Sequence, residues 1–246
     1  MDKFYTNIDI AKFCSDSIVG EYDTIIEPSV GDGSFASLFE DIISIDLYPD
    51  KPGIIKMDYL DYYPEMMSGD ILVVGNPPFG KNSSLAVKFF NHSAKFAKTI
   101  AFILPRTFRK PSVINRLSYN FTMSYEWLLP VNSFHLPDGT PYDVPCVWQV
   151  WDRQSPPRKK LKTHTTHPLI EFVGPDENAD FMLQRVGVAA GRVHQDFTMS
   201  PSSHYRIRAS DDIKGVLAAA NWECKYDTAG NPSVSKNDII KYLTNL

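Results

Sequence analysis

The chain has 246 residues, with 25 Lys and Arg against 29 Asp and Glu for a formal net charge of −4, and its 43% hydrophobic and 22% charged content is ordinary globular usage. That composition excludes a disordered tail, a collagen-like repeat and a coiled coil, and no apolar run approaches the roughly 18 residues that span a bilayer. The start MDKFYTNIDIAKF lacks the basic and apolar blocks of a signal peptide, and Cys14, Cys146 and Cys224 lie too far apart for a disulfide framework or a local zinc cluster.

In chain order, residues 23–30 (DTIIEPSV) predict a short strand that runs into a Gly-rich turn, and 42–48 (IISIDLY) a second strand. Residues 53–60 suggest a third, and 70–75 (DILVVG) an almost wholly apolar fourth that Pro77 and Pro78 stop. Residues 84–97 carry Leu85, Phe89, Phe90, Ala94 and Ala97 at helical spacing, with Ser83 or Ser84 as N-cap. Strands are predicted again over 99–105, 125–130 and 146–151. Continuous apolar runs suit strands covered on both faces, so the pattern predicts a mostly parallel seven-stranded α/β sheet of Rossmann-like type, with helices on both faces and ligands at the carboxyl ends of its strands.

From 154 to 167 the composition shifts to Pro, Lys, Thr and His without periodicity. The expected organisation is therefore a core over 1–152, a basic linker or loop over 153–168 and a small extension over 169–246. Within the extension, 181–188 and 205–207 predict short strands and 211–222 a helix. Ser235 with Asp238 three residues on predicts a capped helix over 235–246. His164 and His167, in a Thr-rich stretch without Cys partners, are expected to face solvent, and no metal is expected.

Charge is unevenly spread. Residues 1–150 hold 12 basic and 18 acidic side chains, and residues 151–246 hold 13 and 11. Residues 105–116 carry Arg106, Arg109, Lys110 and Arg116 without an acid, and 153–162 carry five basic residues, a surface run or a nuclear signal.

Two constellations carry chemistry. In Glu27-Pro28-Ser29-Val30-Gly31-Asp32-Gly33-Ser34-Phe35, Gly31 and Gly33 permit positive φ and close backbone approach, and the turn is expected to enter a helix. The motif lacks the third glycine of a dinucleotide fingerprint and the Lys of a phosphate-cradling loop. Its acidic strand end suits a ligand with an ammonium group. Asp46, fifteen residues past Gly31, is placed to accept from ribose hydroxyls, and Asp58 from an adenine amino group. The second constellation is Asn76-Pro77-Pro78-Phe79, directly after an apolar strand. Two prolines remove two donors and fix φ, Asn76 adds an acceptor, and Phe79 offers a flat apolar face. That set is suited to hold an amino group on a planar heteroaromatic.

The pair EPSVGDGSF and NPPF resembles the class I S-adenosylmethionine-dependent methyltransferases that modify exocyclic amino groups of bases, and NPPF resembles the adenine-N6 group. The opening Lys3-Phe4-Tyr5-Thr6 is similar to a cofactor-contacting segment of DNA members, and the motif order is like that of the gamma class. The resemblance, over roughly residues 3–152, implies methyl transfer from S-adenosylmethionine to adenine N6 in a nucleic acid, DNA ahead of RNA. It implies Tyr5, Thr6, Glu27, Pro28, Gly31, Asp32, Gly33, Phe35, Asp46, Asp58 and Asn76 at the cofactor, and Asn76, Pro77, Pro78 and Phe79 at the target base. The chain departs from DNA members in size, with fewer than 100 residues after 152. Two other readings stand beside it: an N5-glutamine protein methyltransferase, which shares N-P-P, and an inactive methyltransferase-fold binding subunit.

For a nucleic-acid partner, Arg106, Arg109 and Lys110 follow the strand 99–105 and are expected at the rim near flanking phosphates. Residues 131–145 are expected to form a mobile lid in which Phe134 or Tyr142 either supplies a second stacking face or packs inside the loop itself. Arg192, with Arg185, Arg206 and Arg208, is expected to extend the groove. A soluble, cytoplasmic protein is expected, nuclear if the host is eukaryotic.

Overall fold

Apolar runs with alternating side-chain directions must be covered on both faces, and the central strands meet that demand fully: every residue of Ile71–Gly75 and Thr99–Pro105 is buried. The computed structural model describes residues 4–65, 69–228 and 230–246. They fall into two compact units, one ending at Leu161 and the other spanning Lys162–Leu246. The first unit thus runs nine residues beyond the expected boundary at 152.

Among the described residues the first unit has ten strands: β1 (Tyr5–Thr6), β2 (Thr24–Glu27), β3 (Ile42–Asp46), β4 (Ile55–Lys56), β5 (Ile71–Gly75), β6 (Thr99–Pro105), β7 (Phe121–Leu128), β8 (Phe134–His135), β9 (Pro141–Tyr142) and β10 (Cys146–Arg153). Its helices are α1 (Ile8–Asp16), α2 (Ser84–Ser93) and the short α3 (Pro111–Ile114). Seven strands form one sheet in the order β4-β3-β2-β5-β6-β10-β7, and β10 alone runs against its neighbours. This is the mostly parallel α/β sheet expected. Successive side chains feed opposite cores. Ile71, Val73, Ile100 and Phe102 meet α2 through Ala86, Phe89 and Phe90. Leu72, Val74, Ala101 and Ile103 meet α1 through Ala11 and Cys14.

The Gly-rich turn does not enter an α-helix as expected. Eight residues separate Gly33 from Ile42, and they form only a 3-10 turn at Ala36–Leu38. Nor does the serine hydroxyl cap α2. Asn82 and Ser83 both adopt left-handed φ (53° and 58°), and the Ser83 hydroxyl bonds Thr107 instead. The Phe79 carbonyl accepts from the backbone N–H groups of Leu85 and Ala86, so it starts the helix.

The predicted lid, 131–145, contains a hairpin. β8 pairs with β1 and with β9, giving a second, three-stranded sheet. Residues 153–161 of the predicted linker fall in the first unit and 162–168 in the second. Arg158 donates to the carbonyls of Ile114 and Leu117 and lies 4.6 Å over the Tyr119 ring. Arg153 donates to the Ala94 and Ala97 carbonyls at the end of α2.

The second unit has an antiparallel sheet, β11 (Glu171–Val173), β14 (His204–Arg208), β12 (Phe181–Gln184) and β13 (Val193–His194), in that order. Helices α4 (Asp211–Ala219) and α5 (Lys236–Thr244) supply Leu217, Ile239, Ile240 and Leu243 to a core with Phe181, Leu183 and Ile207. Gly191 (φ 96°) lies so close to Trp222 that any Cβ would overlap the indole. Ser235 and Asp238 form the expected capping box. With nine basic and ten acidic residues, this unit is not basic; the 153–161 part of the basic run belongs to the first unit. Among the described residues no helix is long and apolar enough to cross a membrane.

Candidate active site

A doubly wound sheet opens a crevice where the chain reverses its direction of winding. Here β3 and β4 lie on one side of β2, and β5 and β6 on the other, so that point falls between the carboxyl ends of β2 and β5. Glu27 ends β2 and Asn76 follows β5, which brings the two sequence constellations to one place.

Glu27 is 2% exposed and its Oε2 has no hydrogen-bond partner. Burial pushes its carboxyl well above the usual carboxylate range; the Ala36 N–H opposes that shift, and the nearby carboxylates of Asp32 and Asp46 add to it. Gly75 permits this arrangement: its φ is 146°, and a Cβ there would sit 3.2 Å from Glu27 Cγ. Gly31 and Gly33 both take positive φ, 57° and 89°. The Tyr5 ring packs on the bare Cα of Gly31, where a Cβ would lie 3.0 Å from it.

Asp46 accepts from Gly31 N–H at 2.9 Å through one oxygen and from Tyr48 N–H at 2.8 Å through the other. Each oxygen keeps a second lone pair for a ligand hydroxyl. Asp32 accepts from Ser34 and faces His135 Nε2 at 3.4 Å. Asp58 is exposed and caps the turn Tyr59–Asp61 by accepting from Leu60 N–H at 2.9 Å. Pro28 lies 3.7 Å from the Cβ position of Gly75.

The N-terminal strand ties these parts together. Thr6 is 3% exposed; its carbonyl accepts from the Ser34 hydroxyl at 2.7 Å, and its Oγ1 accepts from Asn76 Nδ2 at 3.2 Å. The Asn76 amide therefore spends its donor inward, and its Oδ1 is left buried without a partner. Pro77 is buried and Pro78 half-buried. Phe79 is half-buried, with the Phe4 ring edge-on at 5.7 Å.

Phe35, expected at the cofactor, and Phe134, expected over the base or packed within its loop, both turn inward. Phe35 is 1% exposed and stacks on Trp148 at 5.8 Å, so it is a core residue. Phe134 is fully buried, 5.0 Å from Phe4, because β8 needs an inward side chain; it cannot stack on a base. Tyr142 is half-buried and packs 5.3 Å from Phe4. At the rim, Arg106 keeps a buried Nε without a partner, and Lys110 starts α3. Arg109 is paired with Glu126 at 3.0 Å. Arg192 is exposed in the second unit.

Sequence reading missed His135, Asn7 and Lys51. His135 Nδ1 meets Asn7 Oδ1 at 2.9 Å, and Lys51 donates to the Asp32 carbonyl. Their partners lie 128 and 19 residues away, so no local spacing signals them.

No protein-family model matches this sequence, and no curated protein sequence matches it. Among solved structures, the chain is similar to the candidate RNA methyltransferase PH1948 from Pyrococcus horikoshii, at 13% identity and TM-score 0.42 over 59% of this chain and 82% of that one. It is similar to protein 1320 of Thermoplasma acidophilum at 17% identity and TM-score 0.44, over 63% and 92%. It is also similar to the 23S rRNA methyltransferase ErmE at 14% identity and TM-score 0.41, over 63% and 70%. At these values the likeness is partial, and the architecture rests on the strand order itself.

Proposed function

We propose that the first unit binds S-adenosylmethionine and transfers its methyl group to the N6 amino group of adenine in a nucleic acid, with DNA the first substrate to test. The observation that carries this reading is the Asn76 amide. Its Nδ2 is held by Thr6 and its Oδ1 is a buried acceptor without a partner, at the strand-order switch point. A buried unsatisfied acceptor costs about 1–3 kcal/mol, so it favours a ligand that donates to it.

The residues fit the donor as well. Glu27, with its unpartnered Oε2, would face the ammonium group, Asp46 the ribose hydroxyls, and the Gly31-Asp32-Gly33 turn the chain between them. Tyr5 stays with the cofactor wall through its packing on Gly31, while Thr6 becomes a positioning residue for Asn76. The bound donor supplies an electrophilic methyl group on a sulfonium.

Asn76 Oδ1 and the Pro77 carbonyl accept the two hydrogens of the target amino group. Those bonds draw the nitrogen toward a tetrahedral shape and withdraw its lone pair from the ring, which makes it a nucleophile. Phe79 provides the apolar face for a base that is flipped out or taken from a single strand. Catalysis is then chiefly positioning, and no strong base is required at the strand ends. Arg106 and Lys110 supply cations for flanking phosphates; Arg109 contributes less because Glu126 neutralises it.

The test is transfer of labelled methyl from the donor to DNA, RNA and protein in parallel, with direct measurement of donor binding. Label in nucleic-acid adenine supports the reading. Label in protein glutamine replaces it with the amide reading, and absence of donor binding replaces it with a binding subunit.

A further inference from the structure

The second unit contains a cavity of about 260 Å³ walled by Phe172, Tyr205, Arg206, His204 and Lys236. Three features of its polar groups stand out. The Lys236 ammonium lies 4.7 Å over the Phe172 ring and 5.9 Å over the Tyr205 ring, and among the described residues it has no carboxylate partner. Arg206 sits 5.3 Å over Phe197 and gives its terminal nitrogens to the Phe197 and Glu177 carbonyls, while its Nε is buried and unpartnered. His204 is 4% exposed, yet its Nε2 has no partner.

The neighbouring acids are spoken for. Glu171 pairs with Arg208 at 2.6 Å, Asp238 closes the capping box with Ser235, and Glu177 accepts from Gly174 N–H at 2.5 Å. Among the described residues no carboxylate forms an ion pair with Lys236 or Arg206. Cations resting on aromatic faces are only partly compensated, and an anion that reaches them gains a charge-assisted contact.

The histidine narrows the ligand further. The Ser203 hydroxyl lies 2.9 Å from His204 Nδ1 and 3.2 Å from the Ser200 carbonyl, and in either tautomer of the ring Nε2 is left as a buried polar atom without a partner. The cavity thus pairs anion-seeking cations with a buried imidazole nitrogen that seeks a polar partner, beside flat rings. A free oxyanion leaves the rings without a partner. A nucleotide satisfies all three, with its phosphate, the polar groups of its base or sugar, and its planar ring.

We propose that this cavity is a nucleotide-binding site that takes one unit of a single-stranded nucleic acid, with its phosphate on Lys236 and Arg206 and a polar group of the base or ribose on His204. The site lies wholly within the second unit and does not depend on methyl transfer by the first.

The test is binding of a labelled single-stranded oligonucleotide to the full chain by fluorescence anisotropy across a salt series, without donor. Lys236→Gln should weaken binding several-fold and lower the slope of log affinity against log salt by about 0.7, one phosphate contact on a single strand. Lys214→Gln, the same charge change on α4, should leave both unchanged. Ultraviolet cross-linking of the unmodified chain should join the oligonucleotide to a peptide containing Phe172 or Tyr205. Equal losses in the two lysine variants, cross-links confined to the first unit, or competition by inorganic phosphate as strong as by a mononucleotide would each overturn the site.

Discussion

Asn76 donates its side-chain N–H to the hydroxyl of Thr6 at 3.2 Å, and this one bond decides which end of the amide remains for a ligand. The two residues are 70 positions apart and are brought together by the pairing of β1 with β8 and by the end of β5. Without that bond the amide could present either nitrogen or oxygen, and only oxygen can receive an amino hydrogen.

Thr6→Val keeps the shape of the buried side chain and removes the acceptor. Turnover should fall by one to two orders of magnitude, roughly what losing a hydrogen bond of about 1.5–3 kcal/mol would cost. Donor affinity should hold, and Thr6→Ser should restore turnover. Paired kinetic and equilibrium-binding measurements separate this outcome from simple unfolding, which would lower both.

Glu27 predicts a pH dependence. Its folded-state carboxyl titrates well above the unfolded value of about 4.3. Between those values the native chain holds a proton that the unfolded chain has lost, so its contribution to stability falls as pH rises through that window. Glu27→Gln should therefore gain stability over the parent as pH rises, read by thermal unfolding across pH. A cation bound beside Glu27 favours its ionised form, so donor binding should release a proton and tighten as pH rises. Calorimetry in two buffers of different ionisation enthalpy reads that proton directly, and a buffer-independent enthalpy would count against the role.

Gly31→Ala should be costly twice over. The left-handed φ of 57° costs about 1–2 kcal/mol for a residue with a side chain, and the new Cβ meets the Tyr5 ring at 3.0 Å. Urea denaturation should show that loss, and donor binding should be abolished, because the turn and the strand that covers it move apart.

Arg158→Ala should lower stability by about 1.5–3 kcal/mol, since its guanidinium donates to two backbone carbonyls after α3. Nucleic-acid affinity should not change. Lys159→Ala and Lys160→Ala, at exposed positions in the same basic run, should leave stability within error. The comparison separates structural from electrostatic use of that run.

The strands that frame the site were legible because β5 and β6 are continuous apolar runs, which few other arrangements accommodate. The Gly-rich turn and the Asn76–Phe79 segment were legible because glycine and proline restrict the backbone by themselves. Aromatic roles were not. Phe35 and Phe134 sit inside a motif and a loop, and sequence cannot distinguish a ring that faces a ligand from one that a core needs. Likewise, the lysines and arginines of 153–161 read as surface charge, whereas Arg153 and Arg158 donate to carbonyls 41 to 59 residues away. Contacts made at such separations leave no local spacing, and the same holds for Thr6 with Asn76 and for His135 with Asp32.

The central claim is that Asn76 presents an acceptor to the amino group of adenine. Its most direct test is nucleoside mass spectrometry of DNA and RNA incubated with S-adenosylmethionine and either the parent chain or Asn76→Ala, with donor binding measured for both. The account predicts N6-methylated adenine from the parent alone, with donor affinity in the variant within a few-fold. Methylated adenine from Asn76→Ala, or methylation at another position by the parent, would contradict it.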